Sequence, residues 1–120
     1  MKKEDRSQRV GDEMQRVIAQ IIRSDVSDPR IPLLLSVMEV RMSNDLSHAT
    51  VYLSMMGDEQ QKKDCTDAIA SASGFIKREV LKRIKLRTAP EIAYVFDDSI
   101  EKGMKLMDLI DKTVSEDKKE

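Results

Sequence analysis

An alternating segment, ATVYLSMM, is the feature that most restricts how this chain can fold. It spans residues 49–56, and apolar side chains take every second position at Ala49, Val51, Leu53 and Met55. Because successive side chains of a β-strand point to opposite faces, this period of two predicts a strand with one buried face. Such a strand needs partner strands at its edges and a second layer over its apolar face.

Two further segments predict the partner strands. Ser36–Met42 precedes the alternating segment, and the polar residues 43–47, Ser-Asn-Asp-Leu-Ser, have the composition of a turn. These segments together predict a hairpin. Residues 91–96, Glu-Ile-Ala-Tyr-Val-Phe, form a short β-prone run between Pro90 and Asp97, which predicts a third strand.

Helical periodicity marks both ends of the chain. From Ser7 to about Ser24, apolar residues recur at intervals of three and four, which predicts an amphipathic helix that ends before Pro29. A last helix is predicted after a capping residue at 98 or 99. Its apolar residues are Ile100, Met104, Met107, Ile110 and Val114.

The region between the second and third strands predicts two helices that meet at a corner. One runs from about Gln60 to Ser73, and the next from about Gly74 to Arg87. Gly74 can adopt the positive φ that ends a helix, and the small residues Ala72 and Ser73 let the second helix start at once. The start of that helix would present free backbone N–H groups, which suit a phosphate oxygen. An ordinary packing corner is the alternative interpretation.

The predicted order, α-β-β-α-α-β-α, indicates a two-layer α+β domain with a three-stranded sheet. A length of 120 residues predicts a single domain over residues 1–120, with an ordered core of about 7–114 and frayed, charged termini. The sequence has no membrane-length apolar run, no apolar signal segment near its start and one cysteine. We therefore expect a cytoplasmic protein without a membrane partner.

The sequence offers few groups for catalysis. His48 is the only histidine and Cys65 the only cysteine, and neither lies in a known catalytic motif. These ligands are too few for a zinc site, and the four glycines form no phosphate-binding loop. We expect no enzymatic activity, no metal, no cofactor and no small-molecule substrate.

A run of basic residues after Gly74 is the main candidate site. It contains six cations and one acid, Glu79, in a chain whose net charge is only −1. A clustered basic patch is typical of nucleic-acid binding, whereas a solvated helix end is the structural alternative. At helical spacing Arg78, Lys82 and Lys85 share one face, opposite the apolar residues. The six cations are Lys77, Arg78, Lys82, Arg83, Lys85 and Arg87.

Arginines elsewhere form a second candidate surface. Arg9, Arg16 and Arg23 are each seven residues apart and drift only ~20° per step, so they form a stripe opposite the apolar face of the first helix. Arg30 is a further candidate contact. With only two tyrosines and two phenylalanines, a base-stacking platform is disfavoured, and contact with RNA phosphates is the predicted mode.

The order of two strands, two helices joined at a small-residue corner and a strand is that of a KH domain, although its usual GxxG loop is absent. Nearly the whole chain also resembles the bacterial ribosome-binding factor A family. The motifs that carry this resemblance are Asp28-Pro29-Arg30, the segment from Ser43 to Ser54, Ala72-Ser73-Gly74-Phe75-Ile76, Leu86-Arg87, Pro90-Glu91-Ile92, Phe96, Asp98-Ser99 and Gly103.

The resemblance implies a type II KH-like fold in which a kink at Ala72, Ser73 and Gly74 replaces the GxxG loop. It also implies a non-enzymatic assembly factor that binds the small (30S) ribosomal subunit and its 16S rRNA near the decoding region. This factor would act in late maturation and rRNA processing, notably at low temperature, with a ribosome-maturation GTPase as its partner in release. Because no coiled-coil heptads are present, we expect a monomer.

A protein–protein adaptor without an RNA role is the alternative function. An exposed apolar surface on the first or last helix would dock its partner. Methionines that could contribute to such a surface are Met42, Met55, Met56, Met104 and Met107.

Overall fold

The computed structural model describes residues 3–96 of the chain. Along this part the element order is α-β-β-α-β, with a π-helical turn, Ile21–Asp25, that continues the first helix. The predicted last helix, residues 100–114, lies outside the described residues. The elements are α1 (Lys3–Gln20), β1 (Ser36–Met42), β2 (His48–Ser54), α2 (Glu59–Arg83) and β3 (Glu91–Phe96).

The three predicted strands are confirmed and form one mixed sheet in the order β1-β2-β3. β1 and β2 are antiparallel, whereas β2 and β3 are parallel. The register of β1 shifts between Val37 and Glu39. This bulge lets Val37 and Val40, three residues apart, both point into the core, and it leaves Met38 43% exposed.

The core lies between one face of the sheet and the two helices. The alternation of β2 is confirmed, since Val51 and Leu53 are fully buried. The predicted amphipathic helix is also confirmed, because Met14 and Ile18 of α1 are fully buried in the same cluster. From α2 the buried residues include Ile69, Ile76 and Val80, and Ile84 directly after the helix is also buried.

The predicted corner at Ala72-Ser73-Gly74 is wrong, because α2 is a single helix of 25 residues. Gly74 does not have a positive φ. The Ser71 hydroxyl donates to the Asp67 carbonyl at 3.0 Å, and the Ser73 hydroxyl donates to the Ala70 carbonyl at 2.8 Å. Serines that satisfy their hydroxyls in this way remain compatible with a helix, so no break is required.

The end of α2 also differs from the prediction. The helix ends at Arg83, and Ile84 is extended with φ −122° and ψ 130°. Beyond this point Ile84 is buried and Leu86 packs against the core, whereas Lys85 and Arg87 are exposed. Lys85 is therefore exposed because side chains alternate between core and solvent in this extended segment. The prediction that Lys85 shares a helix face with Arg78 is wrong.

The β1–β2 turn is organised by one carboxylate. Asp45 Oδ1 accepts hydrogen bonds from Ser43 Oγ at 2.8 Å, from Ser47 Oγ at 2.7 Å and from the Ser47 amide at 3.1 Å. Leu46 follows in the left-handed region with φ 62°. Hydrogen bonds from Ser47 and Ser43 lower the pKa of Asp45 to about 2.

This pKa predicts how the turn responds to acid. Because the folded-state pKa is depressed, the turn's contribution to stability is complete above the ordinary value of 3.8 and is lost as the pH falls through about 2. Carboxyl-carbon NMR should therefore show Asp45 still ionised at about pH 3, where an ordinary aspartate is mostly protonated. An Asp45 midpoint near the ordinary value would contradict the hydrogen bonding of the turn.

Candidate nucleic-acid interface

The charges of α2 are segregated along its length. Most acids lie in its first half, where Asp58 caps the helix and Asp64 and Asp67 follow, although two lysines lie among them. The second half is basic apart from Glu79. The helix dipole favours acids near the start and cations near the end, so this pattern alone is explained by helix stability. Whether each cation is free to contact a ligand is therefore more informative than the charge pattern.

Four of the six cations in the basic run have no hydrogen bond or ion pair with any described residue. These are Lys77, Arg78, Lys85 and Arg87. Lys77 is half-buried and the others are exposed. Lys82 Nζ lies 3.3 Å from a Glu79 carboxylate oxygen but keeps 74% of its side chain exposed. These five side chains lie on the last part of α2 and on the connection directly after it, and all can contact a polyanion; we call them the basic end of α2.

Arg83 has a different role from its neighbours. Its Nη2 lies 2.6 Å from Asp25 Oδ2 and 3.7 Å from Glu79 Oε1. Asp25 ends the π-helical turn, so this ion pair joins the end of the first helical segment to the end of α2. A phosphate could use Arg83 only in competition with two carboxylates, which makes Arg83 a structural contact first.

The arginine stripe on the first helix is partly rearranged. Arg9, Arg16 and Arg23 are all exposed. Arg23, however, lies in the π-helical turn, whose wider i→i+5 bonding departs from the 3.6-residue period that aligned the three side chains. Arg23 borders a cleft with Gln15 of α1 and the loop residues 31–33, whereas Arg9 and Arg16 extend along α1.

The small residues of α2 do not supply the expected amides. Inside a continuous helix, the backbone N–H groups of this region bond to carbonyls four residues earlier. Ala72 packs against the core, while Ser73 and Gly74 are exposed. Arg78 Nη1 lies 3.6 Å from the point where a Cβ of Gly74 would be, so the guanidinium lies along this low part of the surface.

Arg30 is not brought together with the basic end of α2. It donates to both carboxylate oxygens of Asp28, at 3.1 and 2.8 Å. The hydrogen bond from Arg30 is the main reason that the pKa of Asp28 falls to about 2. Asp67 and Asp64 also act on Arg30 electrostatically and help to raise its pKa. Arg30 therefore lies in acidic surroundings.

Arg6, which no sequence motif marks, borders a cleft together with residues distant in the chain. The cleft has a volume of about 400 Å³ and lies between the start of α1, the β1–β2 turn and the connection after α2. Leu86-Arg87 and the turn were each visible as motifs, but no local signal placed them beside Arg6. The cleft is lined by Thr88 and by the six side chains Arg6, Asn44, Asp45, Leu46, Leu86 and Arg87.

The two residues considered for catalysis are not arranged as a reactive site. Cys65 is fully buried, and burial raises the pKa of its thiol. His48 Nδ1 lies 2.8 Å from the Ser47 hydroxyl. Among residues 3–96, no group of three or more His, Cys, Asp or Glu side chains could hold a metal ion, and no helix there is long and apolar enough to cross a membrane.

Comparison with known proteins identifies the family. The family model for ribosome-binding factor A matches residues 6–110. The chain belongs to the ribosome-binding factor A family. Ribosome-binding factor A of Thioalkalivibrio sulfidiphilus is 43% identical over 113 residues, which cover 94% of this chain and 87% of the relative.

Solved structures of the same family share the fold. The solution structure of a Thermotoga maritima ribosome-binding factor A candidate matches with a TM-score of 0.70 and 28% identity, over 80% of this chain and 91% of that one. A homology model of the Thermus thermophilus factor, fitted into a cryo-EM map of its complex with the 30S subunit, matches with a TM-score of 0.60 and 24% identity. The match covers 73% of this chain and 91% of that one.

Proposed function

We propose that this protein binds the small ribosomal subunit through its 16S rRNA and uses the basic end of α2 for that contact. The observation that carries the proposal is the set of cations with no ion-pair partner among the described residues, Lys77, Arg78, Lys85 and Arg87. Family membership and the Thermus thermophilus factor in its 30S complex support the choice of the ribosome as the polyanion.

Contact with phosphates is the mode that these side chains favour. Phe75, Tyr94 and Phe96 pack against the core, so their rings are partly withdrawn from the surface. Tyr52 lies under Arg41, whose guanidinium carbon is 5.3 Å from the ring centroid. With the aromatic rings engaged in this way, Lys and Arg remain as the groups that contact RNA, and their attraction is to its phosphates.

The finer parts of the proposal rest on the family resemblance. The protein acts in late small-subunit maturation and rRNA processing, is important at low temperature, and works as a cytoplasmic monomer without catalytic activity. A maturation GTPase assists its release. The fold is of the KH-like type, with the groove formed beside an uninterrupted α2 and its exposed residues Ser73 and Gly74, not at a junction between two helices.

A second candidate function, docking to a protein, is supported by one apolar loop. Leu33 is 99% exposed and Leu34 is 79% exposed. Of the methionines considered for an adaptor surface, Met56 is 59% exposed, whereas Met55 is only 6% exposed and belongs to the core. Met104 and Met107 lie outside the described residues. A ribosomal protein is the kind of partner that such a loop could contact on the same subunit.

Co-sedimentation with purified ribosomal subunits over a salt series tests the proposed function. We expect the protein to pellet with small but not large subunits at about 50 mM salt, and to be released as salt rises towards about 200 mM, because each phosphate contact releases counterions. No association with small subunits at low salt would contradict the proposal. Association that is indifferent to salt would favour docking through the Leu33-Leu34 loop.

A further inference from the structure

We propose that the cleft beside Arg6 binds one unpaired RNA nucleotide whose base carries an exocyclic amino group. Its volume of about 400 Å³ is within the range of small-ligand sites. The proposal rests on the proposed function in taking RNA as the source of the nucleotide. The site itself is distinct from the basic end of α2, with which it shares only Arg87.

Two arginines supply the attraction for the nucleotide's phosphate. Arg6 comes from the start of α1 and Arg87 from the connection after α2, so they border the cleft from separate elements. Both side chains are exposed, and neither has a hydrogen bond or ion pair with a described residue. A guanidinium group can donate two parallel hydrogen bonds to a phosphate, which makes this pair suitable for a phosphodiester.

Asp45 makes the cleft unsuitable for phosphate alone, because its negative charge would repel that ligand. The three hydrogen bonds of the turn all go to Oδ1, so Oδ2 receives none of them. The same bonds hold the pKa of Asp45 near 2, so the side chain is a carboxylate at neutral pH. A carboxylate accepts hydrogen bonds from the amino group of a base such as cytosine.

The remaining residues provide apolar contact for a base. Leu46 and Leu86 are half-buried and border the cleft from the turn and from the connection after α2. Leu46 has φ 62°, an uncommon conformation for a leucine, and this conformation lies at the cleft itself. Cations, a carboxylate and apolar side chains within one small cleft match the three chemical parts of a nucleotide.

Titration of isotope-labelled protein with free nucleotides tests this site without ribosomes. We expect CMP to shift the backbone amide signals of Asn44, Leu46 and Arg87, and to bind more tightly than UMP or inorganic phosphate. CMP and UMP share the ribose phosphate and differ at one edge of the base, where CMP presents a C4 amino donor beside an N3 acceptor and UMP a C4 carbonyl beside an N3–H donor, so their comparison reports on the contact of this edge with Asp45. Equal affinity for CMP and UMP, or for CMP and phosphate, would overturn the proposal.

Two variants sharpen the test. Arg6→Ala/Arg87→Ala should weaken CMP binding at least about tenfold, since hydrogen bonds to charged groups are lost, while Lys63→Ala in the acidic half of α2 should leave it unchanged. Asp45→Asn keeps a carbonyl oxygen for Ser43 and Ser47 but replaces the other oxygen by a donor. It should reverse the preference, so that UMP binds more tightly than CMP.

These results separate the cleft from the proposed function. Amide shifts with the predicted base preference would support the cleft even if the protein failed to sediment with small subunits. Normal sedimentation together with no amide shifts in CMP would overturn the cleft and leave the proposed function in place. An unchanged CMP affinity in Arg6→Ala/Arg87→Ala would also overturn the cleft.

Discussion

Replacement of Gly11 by alanine is expected to destabilise the domain by about 3 kcal/mol, at the upper end of the usual cost of overpacking. Gly11 is buried where α1 crosses β1, and a Cβ at this position would lie 2.5 Å from the Val40 carbonyl oxygen. That atom belongs to the backbone of a paired strand, so it cannot move aside cheaply. The helix would have to shift away from the sheet.

The surrounding contacts explain why such a shift is costly. Four residues after Gly11, Gln15 Nε2 donates to the Val37 carbonyl of β1 at 2.9 Å. Met14 and Ile18 of the same helix are fully buried. Moving α1 outwards would loosen this packing and lengthen the hydrogen bond. Any shift that makes room for a methyl group therefore destabilises the domain.

Urea denaturation of Gly11→Ala and Gly74→Ala provides a matched measurement. Gly74 is exposed in mid-helix without a positive φ, and a Cβ there would meet only Arg78 Nη1 at an ordinary 3.6 Å. Gly74→Ala should therefore stabilise the domain by about 0.5–1 kcal/mol, the difference in helix propensity. Wild-type stability of Gly11→Ala would contradict the close approach, and destabilisation by Gly74→Ala would contradict a continuous α2.

The strands and the first helix could be predicted because their signals are local. Ser36–Met42 and Glu91–Phe96 have the observed bounds, since a short β-prone run next to turn residues is sufficient to mark a strand, even where a bulge interrupts the alternation as in β1. The predicted corner at Gly74 was wrong because it relied on a local signal that tertiary packing outweighs. A single glycine costs a helix only about 1 kcal/mol, which buried residues such as Ile69 and Ile76 on the same helix readily offset.

The assembly of the candidate site depended on contacts that a sequence does not reveal. Arg83 and Asp25 are 58 residues apart, so no periodicity could separate Arg83 from the other cations of its run. Arg6 and Arg87 line one cleft only because α1 and the connection after α2 both border the same turn. Charge composition could identify a basic segment, but only the tertiary structure distinguishes a paired cation from one that can contact RNA.

Removal of two cations that can contact RNA is therefore expected to weaken ribosome binding strongly. Arg78→Gln/Lys85→Gln removes two exposed cations that have no ion-pair partner among the described residues. A phosphate contact contributes about 0.7–0.9 to the slope of log affinity against log salt. The double variant should therefore lower that slope by roughly 1.5 and weaken binding about 30-fold at about 0.1 M salt, without a loss of thermal stability.

A control on the same helix separates local contact from net charge. Lys62→Gln/Lys63→Gln also removes two positive charges, but from the acidic half of α2. It should leave the slope of log affinity against log salt nearly unchanged. Arg83→Gln should lower stability by up to about 1 kcal/mol through loss of its partly exposed ion pair with Asp25, and should alter the slope less than Arg78→Gln does. Co-sedimentation over a salt series measures all these variants. Equal slopes for the two double variants would mean that the protein's overall charge, and not the basic end of α2, attracts the ribosome.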